Sequence, residues 1–581
     1  MRKKLLLGMV IVTSLIMSAC NDSSNSQTTT TSSETTMADT VMETTTEASK
    51  SAEEHNVPTV GEATVGVIAE IENGKVLGRR EDGIYIFKGI PYGRAERWEK
   101  PVKPQAWEGL LNANYVGPVC PQVGGSGEYL SNPAYYLIDS SEENFLNLNV
   151  WSTGLEAEKP KPVIFFIHGG GYSNGSSMEL QQYDGKNLSE YGDVVFVSVN
   201  HRINYLGYLD FSAYGEEYQY SGNIGHADLI MALEWVRDNI EVFGGDSGNV
   251  TLVGQSGGSR KVAQLMAMPS AEGLFHKAVA MSSFITTFPH TSEDGQAETA
   301  KLVEYLGLSG ESNEDIMTTL KEMPYNELAA ACKEAGVSIF YGICDDDYVT
   351  GDISASAHIP LITGTVLAEH NGSLTKVGVA GSYRNNSVFR DEQAYYDNIR
   401  TNLTDDDIRT RYEALYGGRA QEVMEAFQKA YPGKDLFEGL FFDNRYRVAN
   451  SIEDMTANEN AAAFTGWGGT IYEYIGTYTL PLFGGAPAWH TGGDIAFIFR
   501  NLDSIHSWIA GDEEGAEQYS QAMATALINF ARTGAPSQDG LEWPAFTIEN
   551  GETMIFDTTS EVRNYPDKEF LELLDEINKS K

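Results

Sequence analysis

The chain has 581 residues, of which 82 are acidic and 40 basic, giving a formal charge of −42. That excess of negative charge repels phosphates, so the protein's own surface is a poor partner for nucleic acid or anionic lipid. The four cysteines show no metal-ligand spacing, and no metal site is expected.

Arg2, Lys3 and Lys4 precede an apolar run from Leu5 to Met17, and Ser18-Ala19-Cys20 supplies small residues at a cleavage point. Residues 1–20 therefore read as an export signal and not as a spanning helix, which needs about 20 apolar residues. Met17-Ser-Ala-Cys20 resembles a bacterial lipobox, in which Cys20 becomes the lipidated first residue. Several acyl chains on Cys20 would anchor the protein stably. The expected location is the outer face of the cytoplasmic membrane, held by the lipid anchor only, with free secretion as the alternative. Residues 21–60 are rich in Ser, Thr and Glu, bury too little apolar surface to offset their ordering entropy, and are expected to form a disordered tether. Residues 61–581 alternate strand and helix patterns without a second linker and read as one large α/β domain. With Cys20 lipidated, Cys120, Cys332 and Cys344 allow at most one disulfide, for which Cys332 with Cys344 is the candidate.

Phe87 to Gly93, Arg97-Trp98 and Ser141 to Trp151 read as strand, turn and strand. Pro162 to Gly171 is a continuous apolar strand of the kind buried on both faces of a parallel sheet, and it ends in three glycines. A second buried strand, Val194 to Asn200, is followed by an amphipathic helix over Gly222 to Ile240, which leads through Phe243-Gly-Gly-Asp246 into the strand Val250 to Val253. Strand, crossover helix and strand predict a parallel sheet with its site beyond the carboxyl ends. The last of these strands runs into Gly254-Gln-Ser-Gly-Gly258, with a helix expected over Lys261 to Met268. Gly254 and Gly258 would let strand and helix cross closely and hold Ser256 strained and accessible, the geometry of a nucleophile elbow. A second Gly-x-Ser-x-Gly match, Gly171 to Gly175, is followed by polar Ser176, Ser177 and Glu179, so Ser173 reads as a loop residue. The glycines after Ile167 free backbone amides. Gly170 and Gly171, with the amide of Gly257, could receive the negative oxygen of a tetrahedral intermediate; a tight turn alone is the plainer reading.

Phe-Lys-Gly-Ile-Pro-Tyr, His-Gly-Gly-Gly-Tyr, Gly-Asn-Ile-Gly-His-Ala-Asp, Phe-Gly-Gly-Asp-Ser-Gly-Asn-Val-Thr and Gly-Gln-Ser-Gly-Gly, in this order, resemble the type-B carboxylesterase and cholinesterase family of α/β-hydrolases. Asn529 to Pro536 and Trp543-Pro544 extend the resemblance, which runs from about Gly61 to Asp557. It implies an α/β-hydrolase fold: a central, mostly parallel twisted sheet with helices on both faces. In that fold the triad follows the order Ser, acid, His along the chain. The strand Ile359 to Val366 runs into Glu369, and the strand Thr470 to Tyr478 leads to a loop carrying His490, with His506 as a competitor. The family's patterns match Gly364 to Glu369 and His490 to Phe499, which implies Glu369 and His490. The implied activity is hydrolysis of small-molecule carboxylic esters through an acyl-enzyme on Ser256, with no cofactor. A catalytically silent binding or adhesion protein is the alternative, and retention of Ser256, Glu369, His490 and the glycines favours the enzyme. A protease is weaker, since the family acts on esters.

Three departures accompany the resemblance. Gln255 stands where the family usually has Glu, the loop His490 to Asp494 is one residue longer than usual, and Phe145 replaces a cysteine of animal relatives, leaving Cys120 without that partner. Arg97 and Glu143 match the family's buried structural salt bridge. Asp345 to Asp347 and Asp405 to Asp407 read as solvated surface, the second as a helix start capped by Thr404. The loops Met178 to Asp184 and Tyr341 to Thr350 are expected to shape the pocket.

Overall fold

The computed structural model describes residues 65–122, 140–155, 158–340, 342–345, 347–369, 400–440, 457–481, 484–487 and 494–580. All lie in one unit of the chain, Val60–Lys581. The expected signal, the tether with Cys20, and His490 fall outside the described residues.

Three short-looped strands open the domain: β1 (Val65–Ile71), β2 (Gly74–Glu81) and β3 (Ile84–Pro91). The turn between β2 and β3 is Asp82-Gly83, with φ of 49° and 86°, the mirror-image turn whose twist suits a two-residue hairpin. β4 (Leu110–Asn112) pairs with β2 off the main path. The sheet continues through β5 (Asn147–Ser152), β6 (Lys161–Ile167), β7 (Val195–Val199), β8 (Gly245–Gln255), β9 (Lys277–Met281), β10 (Leu361–Val366) and β11 (Ile471–Gly476). A separate pair, β12 (Thr479–Leu480) and β13 (Ala486–Pro487), follows, and β14 (Glu552–Phe556) and β15 (Glu561–Asn564) complete the main sheet.

The order across the sheet is β1-β2-β3-β5-β7-β6-β8-β9-β10-β11-β14-β15. From β7 to β14 every neighbouring pair is parallel, while both edges are antiparallel. β6 lies between β7 and β8, so the chain leaves β6 to one side and returns to the other. That reversal opens a crevice beyond the carboxyl ends of β6 and β8, where the three glycines and Ser256 both fall.

Alternate residues of the apolar strands feed two cores. Val163, Phe165 and Ile167 of β6 face one, where they meet α3 (Ile224–Asn239), α4 (Gly257–Met266), α5 (Ser292–Tyr305), α6 (Asn313–Glu322) and α7 (Tyr325–Glu334) once α1 (Lys186–Gly192) and α2 (Asn204–Gly207) have passed. Ile164 and Phe166 face the other, with Leu188 of α1 and the long helix Glu513–Thr533. Each fully buried Phe or Ile contributes about 1.5–3 kcal/mol, so a helix layer on each face is what such two-sided strands require.

Several expectations are adjusted by tertiary packing. α3 is not a half-exposed amphipathic helix: only Met231, Glu234, Arg237 and Asp238 reach solvent, because it packs on β8 and α4 with α2 beside it. Arg97 meets Glu142 and not Glu143. Its Nη2 and Nε donate to the Glu142 carboxylate at 2.5 Å each, and its Nη1 donates to the carbonyls of Leu320 and Met323. Glu143 is exposed, its amide donating to Ser141 Oγ at 2.9 Å in a turn that continues through Asn144 at φ 60°. Cys332 and Cys344 form no disulfide. Cys332 on α7 is turned into the core, and the Cys344 segment is tied instead by its amide to the His290 carbonyl at 2.7 Å. Cys120 and Phe145 are both buried in the same core. Thr404 caps the helix Asp405–Tyr416 in a capping box with Asp407. Asp345 is more than solvated surface, since its Oδ1 accepts the amides of Asp347, Tyr348 and Val349. Among the described residues no helix is long and apolar enough to cross a membrane.

Candidate active site

Ser256 is the junction between β8 and α4, and its backbone sits at φ 59°, ψ −124°. A side-chain-bearing residue is rarely found there, at a strain of about 1–3 kcal/mol. The neighbouring glycines show why the turn admits no Cβ. A methyl at Gly254 would lie 2.3 Å from the Gly258 carbonyl oxygen, and one at Gly258 would lie 2.1 Å from that of Ile167. The Ser256 amide donates to the Met281 carbonyl at 2.8 Å, which ties the turn to the end of β9. α4 begins directly at Gly257, four residues earlier than the apolar pattern indicates. The Gly257 amide is therefore one of the orphan donors of a helix N-terminus.

The glycine loop after β6 lies against this turn. Ile167 pairs with Gly254 in register, a methyl at Gly169 would come within 3.3 Å of Ser256 Cβ, and one at Gly257 would lie 2.2 Å from the Gly171 carbonyl oxygen. Gly170 and Gly171 have φ of 85° and 66°. Their amides donate to no acceptor among the described residues, although the Gly170 carbonyl accepts from Asn174 at 3.1 Å. Both glycines are only half-buried, so their amides are open to solvent or to a ligand beside the strained serine. Ser173 is exposed in the turn that follows, as a loop residue.

Glu369 follows β10 and is fully buried. One carboxylate oxygen accepts from Ser282 Oγ at 2.6 Å and from the Val366 amide at 2.9 Å. Ser282 follows Met281, the residue that holds the Ser256 amide, so two hydrogen bonds and one peptide link the acid to the nucleophile's backbone. Ser282 has φ 55° and its amide donates to Gly364 at 2.8 Å. It went unrecognised in the sequence; the available signal was a pair of small polar residues, Ser282-Ser283, at the carboxyl end of a buried strand beside the elbow strand.

His490 lies in residues 488–493, outside the described ones. Asp494, four residues later, is fully buried, and the Gln255 side-chain amide donates to its Oδ2 at 3.5 Å. Its other oxygen accepts the Ile495 amide at 2.6 Å and caps the helix Ile495–Ile498. The phenols of Tyr474 and Tyr519 are pushed up by burial first and by the charge of Asp494 next. The rival histidine, His506, is exposed on a one-turn helix. Of the two loops expected to shape the pocket, Met178 to Asp184 is packed, with Met178 and Tyr183 in the core; Tyr341 and Asp346 of the other lie outside the described residues.

A sequence profile of the carboxylesterase family matches residues 66–574. The para-nitrobenzyl esterase of Bacillus subtilis (strain 168) is 29% identical over 523 residues, covering 86% of this chain and 97% of the relative. The phenmedipham hydrolase of Pseudarthrobacter oxydans is 35% identical over 513 residues, covering 84% and 94%. A solved structure of an esterase from Clostridium hathewayi, described as able to hydrolyse aliphatic aromatic polyesters, matches with a TM-score of 0.74 at 34% identity, covering 89% of this chain and all of its own. The large mixed sheet with helices on both faces is accordingly the α/β-hydrolase fold. Because the family profile spans almost the whole domain and these relatives match it nearly end to end, this chain belongs to the carboxylesterase family and is a carboxylic ester hydrolase.

Proposed function

We propose that the chain hydrolyses small-molecule esters by a serine mechanism with Ser256, His490 and Glu369 as triad. His490 takes the Ser256 Oγ proton as Oγ attacks the acyl carbon, then gives it to the leaving alcohol, and the resulting acyl-enzyme is cleaved by water through the same base. Glu369 holds the imidazole tautomer and stabilises its cation. The amides of Gly170, Gly171 and Gly257 receive the oxyanion. The observation that carries this reading is the left-handed backbone of Ser256 at the strand-to-helix turn, with the glycine loop packed directly against it. Support for His490 comes from connectivity: four residues reach at most about 14 Å, and Asp494 is anchored beside Gln255. Relatives named for para-nitrobenzyl and fumonisin B1 esters favour ester over peptide substrates. The purified protein is expected to hydrolyse short-chain aryl esters without added metal and to be blocked by a serine-directed phosphonate. Loss of activity to a chelator alone would overturn the mechanism.

Gln255 bears on the acidic limb of the pH profile. A carboxylate beside an imidazole raises its pKa, so Gln255→Glu taken alone should move the limb of kcat/KM to higher pH. Asp494 lies 3.5 Å from that side chain, however, and two carboxylates so close do not both ionise. The pair would then carry about the single charge that Asp494 supplies already. Gln255→Glu is therefore expected to shift the limb by well under one unit, a full unit being about 1.4 kcal/mol, and Asp494→Asn to move it to lower pH. A full-unit rise in Gln255→Glu would show that Asp494 does not share the site's charge.

We propose also that Cys20 is lipidated and tethers the enzyme to the outer face of the cytoplasmic membrane, supported by the lipobox-like Met17 to Cys20 and the polar stretch behind it. Cys20→Ser should then release the protein from the membrane fraction. Failure of labelled fatty acid to enter the wild type would favour secretion.

A further inference from the structure

α4 carries a buried lysine that the ester chemistry leaves unused. Lys261, five residues after Ser256, is fully buried. Its Nζ donates to the carbonyl of His168 at 3.4 Å and lies 5.4 Å from the centre of the Tyr172 ring. His168 and Tyr172 flank the three glycines, so one side chain from the nucleophile's own helix touches both ends of the loop. The same helix holds Tyr172 a second time, through its hydroxyl donating to Gln264 Oε1 at 3.0 Å.

The surroundings isolate this charge. Its counter-charge is Glu179, buried just beyond the loop and hydrogen-bonded by Tyr183. The remaining titratable groups facing Lys261 are His168, His201 and His226, each held neutral by burial first and by the Lys261 charge second. Burial brings Lys261 down to about 7 and takes Glu179 up to about 8. The two groups influence each other electrostatically without forming a salt bridge, and burying ionisable side chains without such a contact costs stability, so stability does not explain them. The loop supplies a reason. It has no side chain from Gly169 to Gly171, and two of these glycines have positive φ. Its internal ties are the His168 Nδ1 contact with the Gly169 carbonyl at 2.9 Å and the Asn174 to Gly170 bond.

We propose that Lys261, balanced by Glu179, is a positioning residue: through the His168 carbonyl and the Tyr172 ring it holds the glycine loop in register with Ser256, so that the amides of Gly170 and Gly171 meet the developing oxyanion. This rests on reading those amides as oxyanion donors. It adds a brace from the nucleophile helix that acts on the transition state and not on substrate binding.

The test compares wild type, Lys261→Met and the double variant Lys261→Met/Glu179→Gln, the last leaving no buried charge uncompensated. Each is measured for kcat and KM on one aryl ester, for inhibition by an aryl boronic acid, whose boron bonds to the serine Oγ and places an oxygen in the hole, and for Tm. The expected result for the double variant is kcat lower by about 10-fold, less than the 10²–10³ of losing a donor outright. KM should stay within about 2-fold, and boronate affinity should fall in parallel with kcat. A double variant with wild-type kcat and boronate affinity overturns the proposal, whatever its Tm. Gly170→Ala run alongside separates the two readings: if it loses kcat and the double variant is unimpaired, only the brace fails, whereas a folded Gly170→Ala with wild-type kcat removes the oxyanion reading itself.

Discussion

Ser256→Ala is expected to lower kcat on an aryl ester by on the order of 10⁶-fold, the effect of removing a nucleophile that acts as a unit with its base. The residual rate should exceed that of water, because the amides beside residue 256 still stabilise an oxyanion. Folding should be unaffected, since alanine inherits the φ of 59° with the same Cβ strain. Ser256→Gly should be as inactive but more stable by about 1 kcal/mol, the relief of that strain less the extra chain entropy of glycine. Stability of the three proteins by urea denaturation checks this. A glycine variant less stable than wild type would show that the serine backbone is not held under strain.

Gly170→Ala is expected to cost about 10²–10³-fold in kcat with KM little changed, the order seen when one oxyanion donor is lost. The added methyl would lie 2.3 Å from the Asn174 carbonyl oxygen, at a φ of 85° that side chains disfavour. The loop must move, and its amides with it. The sheet beneath is independent of the loop tip, so the variant should retain a cooperative unfolding transition. A folded variant with wild-type kcat would remove Gly170 from the hole.

What could be read from the chain follows from how local each feature is. The elbow was legible because a buried strand, Gly-x-Ser-x-Gly and a helix stand in contiguous sequence, and because the steric demand at Gly254 and Gly258 excludes other residues. An acidic residue just past a buried strand, Glu369, could be seen in the sequence, but its choice as triad acid came from the family pattern. The apolar runs of β6, β7 and β8 announced a two-sided sheet, but not the order that puts β6 between β7 and β8, which depends on pairings far apart in sequence. Ser282 was missed because nothing local distinguishes a serine that meets a carboxylate 87 residues away. Lys261 and Glu179 were missed for a related reason, as both belong to types usually found at the surface and only tertiary packing buries them. Arg97 was paired with the wrong neighbour, Glu143 in place of Glu142, because a one-residue choice is made by a turn and not by spacing. α3 keeps a solvent-facing stripe at Met231, Glu234, Arg237 and Asp238, while its first two turns are covered by segments the period cannot see.

The central claim, that Ser256 is the nucleophile of this esterase, is tested most directly by finding where a covalent inhibitor attaches. The full-length protein, inactivated with a phosphonate fluorophore, digested and sequenced by mass spectrometry, should carry one adduct per chain on the peptide containing Ser256, with loss of activity proportional to labelling. An adduct on Ser173, or complete inactivation with Ser256 unmodified, would contradict the account.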